Sequence, residues 1–319
     1  MPQSNVTEKW PPLPYEEWRA TAATLHLWLQ IVGKIRLMQC PWVNHSWHVT
    51  LQTTARGLGT RLMWHESTSF QIEFDFIDHR LLIRADDGRT ATLPLEPQTT
   101  AAFYRNLMST LEKLGLSVRI NTMPNELPNP IRFDADDVHS SYDPEYATRY
   151  WRILVQTERV FEKFRARFLG KSSPVHYFWG SADLAVTRFS GREAPPHPGG
   201  VPYLPDWVAR EAYSHEVSSA GFWAGGEQYP RAIFYSYAYP EPPGFANSSV
   251  APSAAHYDNT LREFVLPYDD MRAAASPDSA LLDFLQSTYE AAANAAAWDR
   301  HALERVAELP PRTSGLQSV

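Results

Sequence analysis

Two hydrophobic periods alternate along the chain. Leu25, Trp28, Leu29, Val32 and Ile35 recur at helical spacing and predict a first helix over residues 15–39. Phe103, Leu107, Leu111 and Leu114 predict a second over 99–114, stopped by Gly115. The third carries its own punctuation: Asp143 as cap, Pro144 at the first position, a stripe from Tyr150 through Phe161 to Phe168, and Gly170 as terminator. A fourth starts at Ser276-Pro277, with Leu281, Phe284, Leu285 and Tyr289 inward. Runs of period two, or of mixed apolar and aromatic residues, fill the gaps. They predict strands at 47–54, 70–77, 81–85 and 90–95 in the first gap, and at 175–189, 213–222, 232–239 and 263–266 in the second.

The order helix, several strands, helix therefore occurs twice. It predicts an α+β fold of two similar halves, each an antiparallel β-sheet flanked by helices, and an internal duplication. The expected division is an N-terminal extension (1–14), a first half (15–130), a second half (131–305) and a C-terminal tail (306–319). Paired fragments support the duplication. Thr54-Ala-Arg56 in the first half answers Val186-Thr-Arg188 in the second, and Ser109-Thr-Leu-Glu112 answers Ser287-Thr-Tyr-Glu290. Sheets covered by helices on one face leave a cleft between the halves as the expected ligand site. The second half differs by two proline-rich insertions, 192–207 and 240–258. Their Tyr203, Trp207, Phe245 and Tyr257 predict docking on the body, and a site-covering role is one reading of them. His197 in the first insertion reads as a solvated loop residue.

Composition narrows the function class. The 319 residues include 11 Trp, 15 Tyr and 15 Phe, which predicts a rigid aromatic core. A formal net charge of −7 and the lack of any Lys/Arg run argue against nucleic acid as partner. No apolar run reaches the ~20 residues of a spanning helix, so no membrane partner is expected. The N-terminus does not read as a signal peptide. Cys40 is the single cysteine, which excludes an internal disulfide or a CxxC site and reads as a small buried hydrophobe. A cytoplasmic protein with a small-molecule ligand is the expectation.

Candidate chemistry lies mainly in the second half. His176, Asp183 and Arg188 sit among aromatic and β-branched residues in SPVHYFWGSADLAVTRFSGR, where polar groups are costly unless partnered. His215 and Glu216 follow in EAYSHEVSSAGFW. A shared site would use His176 as general base or ligand, Asp183 as its orienter and Arg188 as an anion clamp. His215 and Glu216 would complete the acid–base set. A discontinuous metal site of His176, His215 and Glu216 is also allowed, since ligands from different strands need no fixed spacing and a divalent metal would suit two imidazoles and a carboxylate. Trp179 and Tyr237 would supply aromatic contacts to substrate. In the first half, His48, Glu73 and Asp75 would share one polar sheet face, either solvated or binding. No HExxH, GxGxxG, P-loop or GxSxG motif is present.

LHLWLQIVGKIRL from Leu25, NHSWHVTL from Asn44 and IEFDFIDHRL from Ile72, with the two second-half stretches just quoted, YSYAYPEPPGF and LLDFLQSTYEAA, are similar to a bacterial family known only as domain-of-unknown-function family 5996. The resemblance covers about residues 10 to 304 and implies a single module, without naming a reaction or a catalytic residue. The expected function is an enzyme acting on a small polar molecule with a His/Asp/Glu/Arg site in the second half. A non-catalytic small-molecule-binding protein with an aromatic-lined cavity, and an interaction module presenting the proline-rich loops, are the alternatives.

Overall fold

A computed structural model of the chain describes residues 9–305. The C-terminal tail, 306–319, and the first part of the expected N-terminal extension lie outside the described residues. The rest of that extension is packed against the second half. The Trp10 ring lies edge-on to Phe234 and Tyr268, and its indole N–H donates to Asp278 at 3.1 Å.

The first helix is α1 (Tyr15–Gln39), buried around most of its circumference from Leu27 to Arg36. A helix apolar on nearly every side belongs inside a molecule, and α1 runs between α2 (Thr100–Lys113) and α3 (Pro144–Arg165). Trp28 is stacked between Phe103 and Tyr142, with ring centroids 4.5 and 5.7 Å away. Asp143 caps α3 by accepting from the backbone N–H groups of Glu145 and Tyr146, and Pro144 occupies its first turn. The regular helix stops at Arg165, short of Gly170, because a turn at 166–168 folds the Phe168 ring back toward Tyr289.

The first antiparallel sheet comprises β1 (Gln52–Thr53), β2 (Gly57–Gly59), β3 (Met63–His65), β4 (Thr68–Asp75), β5 (Arg80–Ala85) and β6 (Thr90–Pro94). Its order is β1-β2-β4-β5-β6, with β3 also paired to β4. Phe70, Ile72 and Phe74 of β4 are fully buried on one face, as their alternation requires. Of the strand expected at 47–54, only β1 forms. Residues 44–46 make a short 3-10 turn, and Leu51 instead bridges to Tyr177 of the other half through two 2.9 Å backbone hydrogen bonds.

The second antiparallel sheet comprises β7 (His176–Phe178), β8 (Asp183–Glu193), β9 (His215–Trp223), β10 (Ile233–Tyr239), β11 (His256–Asp258) and β12 (Glu263–Pro267), in the order β11-β12-β10-β9-β8-β7. The long strand expected at 175–189 is a hairpin. Residues 179–182 turn the chain, with Ala182 at φ 59, and β7 folds back on β8. α3 and α6 (Pro277–Ala295) cover one face of this sheet, burying Leu184, Val186, Phe222 and Phe234. Three short helices complete the fold: α4 (Asp206–Ala212) in the first proline-rich insertion, α5 (Tyr268–Ala273) and α7 (Arg300–Leu303). In the second insertion Phe245 is buried and packs on Tyr257 and Phe264, as docking requires.

The chain thus has two antiparallel sheets flanked by helices, with one hydrophobic core running through both halves. The residue matches between halves do not hold structurally. Arg56 lies in the turn between β1 and β2 and pairs with Asp75, whereas Arg188 lies mid-strand in β8, 1% exposed. The first sheet's main path follows chain order, while β12 inserts between β10 and β11 in the second. Among the described residues no helix is long and apolar enough to cross a membrane.

Candidate functional site

The face of the second sheet turned away from α3 and α6 opens on a cavity of about 700 Å³. Strand register selects what that face presents. Asp183 is opposite Trp223, Ala185 opposite Gly221 and Thr187 opposite Ser219, while Tyr235 and Tyr237 of β10 follow on the next strand. Side chains two apart share a face, so these residues look into the cavity and Leu184, Val186 and Phe222 look into the helix layer. Glu263 at the start of β12 extends the same face. Gly221 is needed in this arrangement. The Tyr235 ring lies across it, where a Cβ would come within 2.3 Å, and the phenol thereby reaches Asp183 one strand further on.

The opposite wall comes from α1 and from the segment after α2. Gln30, fully buried on α1, holds Asn125 by both main-chain groups. Its carbonyl oxygen accepts from Asn125 N–H at 2.8 Å and its amide donates to Asn125 C=O at 2.9 Å. One turn away, His26 Nε2–H donates to the carbonyls of Trp179 and Gly180, both at 2.9 Å. α1 therefore sets the hairpin turn against residues 125–126. Glu126 takes a left-handed backbone conformation (φ 61), and its carboxylate lies over Gly180, where a Cβ would be 1.9 Å from Oε1. The third wall is aromatic. Trp179, whose indole N–H donates to Val49 C=O at 2.8 Å, is joined by Trp42, Trp47, Trp207 and Trp223. Leu204 and Trp207 bring the first proline-rich insertion over the opening, and Trp207 lies on Trp42 with centroids 4.6 Å apart.

Three carboxylates line this space. Asp183 accepts from Ser181 and Tyr235, and burial still raises its pKa above the usual carboxylate range. Glu126 and Glu263 accept no hydrogen bond among the described residues. Burial, reinforced by the negative Asp183, pushes Glu126 up to about 7. Burial, with Asp183 and Asp258, pushes Glu263 up to about 8. The Tyr213 and Tyr237 hydroxyls bond each other at 2.8 Å, and burial keeps both phenols protonated. Among the described residues that line the cavity none is lysine or arginine.

The Family of unknown function (DUF5996) matches this chain over residues 10–305. The chain belongs to that family. No curated protein and no solved structure matches it.

Of the residues singled out from the sequence of this DUF5996 chain, Asp183, Trp179 and Tyr237 line the cavity. The others are placed elsewhere. His176 pairs with Ala185 and is 1% exposed, packed on Phe178 and Trp47 at 4.7 and 6.2 Å between centroids. Burial pushes its pKa down to about 3, so it stays neutral and is a poor base. His215 lies six residues along β9 from Gly221, which places it roughly 20 Å along the sheet from the level of His176. It sits beside His45 instead, with centroids 6.5 Å apart. Glu216 points to the opposite face of β9, accepting from Ser190 at 2.9 Å and Arg192 at 2.7 Å. The set His176, His215 and Glu216 does not converge, and no three His, Cys, Asp or Glu side chains among the described residues are placed to share a metal ion.

Arg188 is not an anion clamp. Strand alternation turns it into the helix layer, where its guanidinium lies 3.5 Å from the Phe164 ring centroid and 4.3 Å from that of Tyr289 and donates to Phe164 C=O. Glu73 and Asp75 share one face of β4, as alternation requires, but His48 lies outside the sheet and does not join them. His48 packs at a tilt against Trp42, with centroids 4.5 Å apart, and accepts from Val43 N–H at 3.2 Å. Glu73 accepts from Thr54 and Arg84, each at 2.8 Å. Asp75, 0% exposed, accepts from Arg56 at 2.7 Å and from the N–H groups of Ile77 and Asp78, fixing the β4–β5 turn. Missed altogether were Glu126, in a segment without periodicity, and Glu263, inside an expected strand. A carboxylate beginning a strand of the most aromatic sheet was the available signal for Glu263. None existed for Glu126.

Proposed function

We propose that this chain acts on a small organic molecule held in the 700 Å³ cavity, with aromatic walls around its body and the carboxylate and phenol cluster at its polar end. The observation that carries this reading is the Glu126 carboxylate, which faces an open space of ligand size and has no hydrogen-bond or ion-pair partner among the described residues. Interiors ordinarily satisfy such groups, and apolar pockets of ~300–1,000 Å³ with a few convergent polar groups are the usual form of ligand sites. Catalysis is the second reading, favoured by the contrast between two neighbouring carboxylates. Asp183 is held by two donors, and Glu126 is free and titrates near neutrality, which suits a general base. Residence in the cytoplasm belongs to the same proposal, supported by the single cysteine.

Thermal unfolding of the full chain against a panel of small metabolites tests the site, with Ala185→Phe as a variant that fills it. Ligands that stabilise the native chain are expected to lose their effect in the variant. Equal stabilisation of both proteins would place binding elsewhere and refute the reading. Product formation followed by NMR separates catalysis from binding.

A further inference from the structure

Resting on that small-molecule reading, we infer that the ligand is an organic cation, an amine or quaternary ammonium carried on an apolar or aromatic body. Two independent features of the cavity point to it. The first is the wall: Trp179, Trp223 and Tyr235 border the space, and aromatic rings attract a desolvated cation through their quadrupoles. The second is the floor. Asp183, Glu126 and Glu263 gather there without a lysine or arginine among the described lining residues. Buried carboxylates lacking a cationic partner are costly, and in a protein interior the attraction to an incoming positive charge is much stronger than in water. A ligand cation supplies the missing charge. An anionic ligand would meet three carboxylates and, among the described lining residues, no lysine or arginine. A bare divalent metal is a poor fit, since no three ligating side chains are arranged around one point among the described residues.

Proton release accompanies the binding. Glu126 is faced by Asp183 and Tyr213, and Glu263 by Asp183, Asp258, Tyr213 and Tyr235, all acidic groups, with His45 also on the cavity wall. Burial, reinforced by the negative charge of Asp183 and, for Glu263, of Asp258, keeps the two glutamates partly protonated near neutral pH in the empty site. An arriving cation favours the ionised form, displaces protons and binds better as pH rises through the range where they titrate.

The test uses the full chain and four probes of similar shape: 2-phenylethylamine, benzyltrimethylammonium, 2-phenylethanol and phenylacetate. Binding is measured by calorimetry and by quenching of tryptophan fluorescence. Both cations are expected to bind roughly tenfold or more tighter than the alcohol, and phenylacetate more weakly than the alcohol. Benzyltrimethylammonium has no proton to lose, so a rise in its affinity from about pH 6 to about pH 8.5 reports the protein's own carboxylates. Glu126→Gln and Glu263→Gln are expected to weaken both cations, flatten that rise and leave the alcohol unaffected. The two positions belong to separate segments of the chain, so one variant remains if the other fails to fold. Alcohol or phenylacetate binding as tight as the cations, and lost in Ala185→Phe, overturns the cation assignment and leaves the pocket standing. Failure of both cations to bind up to millimolar concentration also overturns the assignment. Binding of every probe unchanged in Ala185→Phe overturns the pocket itself.

Discussion

Replacing Glu126 by glutamine is expected to stabilise the empty protein at alkaline pH. The carboxyl titrates at about 7 in the folded chain against an ordinary value of 4.5, because it is buried beside Asp183. The sign follows from proton counting. Between pH 4.5 and about 7 the unfolded chain has released this proton and the folded chain still holds it, so folding stability falls as pH rises through that window. Above it the full penalty stands. At 1.36 kcal/mol per pH unit the difference corresponds to about 3 kcal/mol, and solvent screening of a partly buried carboxylate reduces this to about 1–2 kcal/mol. Glutamine has nearly the same shape and no charge, so it keeps the fit over Gly180 and removes the penalty. Urea denaturation of the native chain and Glu126→Gln at pH 5 and at pH 8.5 measures the effect. The variant should match the native chain within about 0.5 kcal/mol at the lower pH and exceed it by about 1–2 kcal/mol at the higher. A variant that is less stable at pH 8.5, or a difference independent of pH, would refute the view of Glu126 as an unpartnered carboxylate. A gain in stability on removing the Glu126 charge would support the proposed role of this carboxylate toward a ligand.

Two further substitutions probe the scaffold. Gly180→Ala places a methyl group 1.9 Å from Glu126 Oε1, so it should cost about 1–3 kcal/mol, and combining it with Glu126→Ala should recover most of that loss in a double-mutant cycle. Arg188 is a buried cation among rings, without a carboxylate contact among the described residues, and burial pushes its pKa down to about 9; Arg188→Met should be tolerated within about 1 kcal/mol, whereas Arg188→Ala leaves a void and should cost about 3 kcal/mol by thermal denaturation.

The local pattern of the chain determined its elements closely. The span of α1, the Asp143-Pro144 start of α3, the Ser276-Pro277 start of α6 and the alternation of β4 all follow from spacing and capping, interactions between residues a few positions apart. Alternation also held the information that Arg188 and Asp183 face opposite ways. Their difference of five positions along one strand places them on opposite faces, so no common site could join them. The hairpin at residues 179–182 was legible in Gly180-Ser181, a dipeptide that favours a turn between strands, whereas the hold of His26 of α1 on that turn, 153 positions away from Trp179 in sequence, was not. The composition of the site was settled only in three dimensions. Glu126 becomes a cavity residue because Gln30 on a distant helix grips its neighbour Asn125 and because Gly180 leaves room for its carboxylate. Glu263 joins it because β12 pairs beside β10 rather than at the sheet's edge. Local preference chooses helix or strand, but which side chains share a desolvated space depends on long-range register and packing, which no short window of sequence contains.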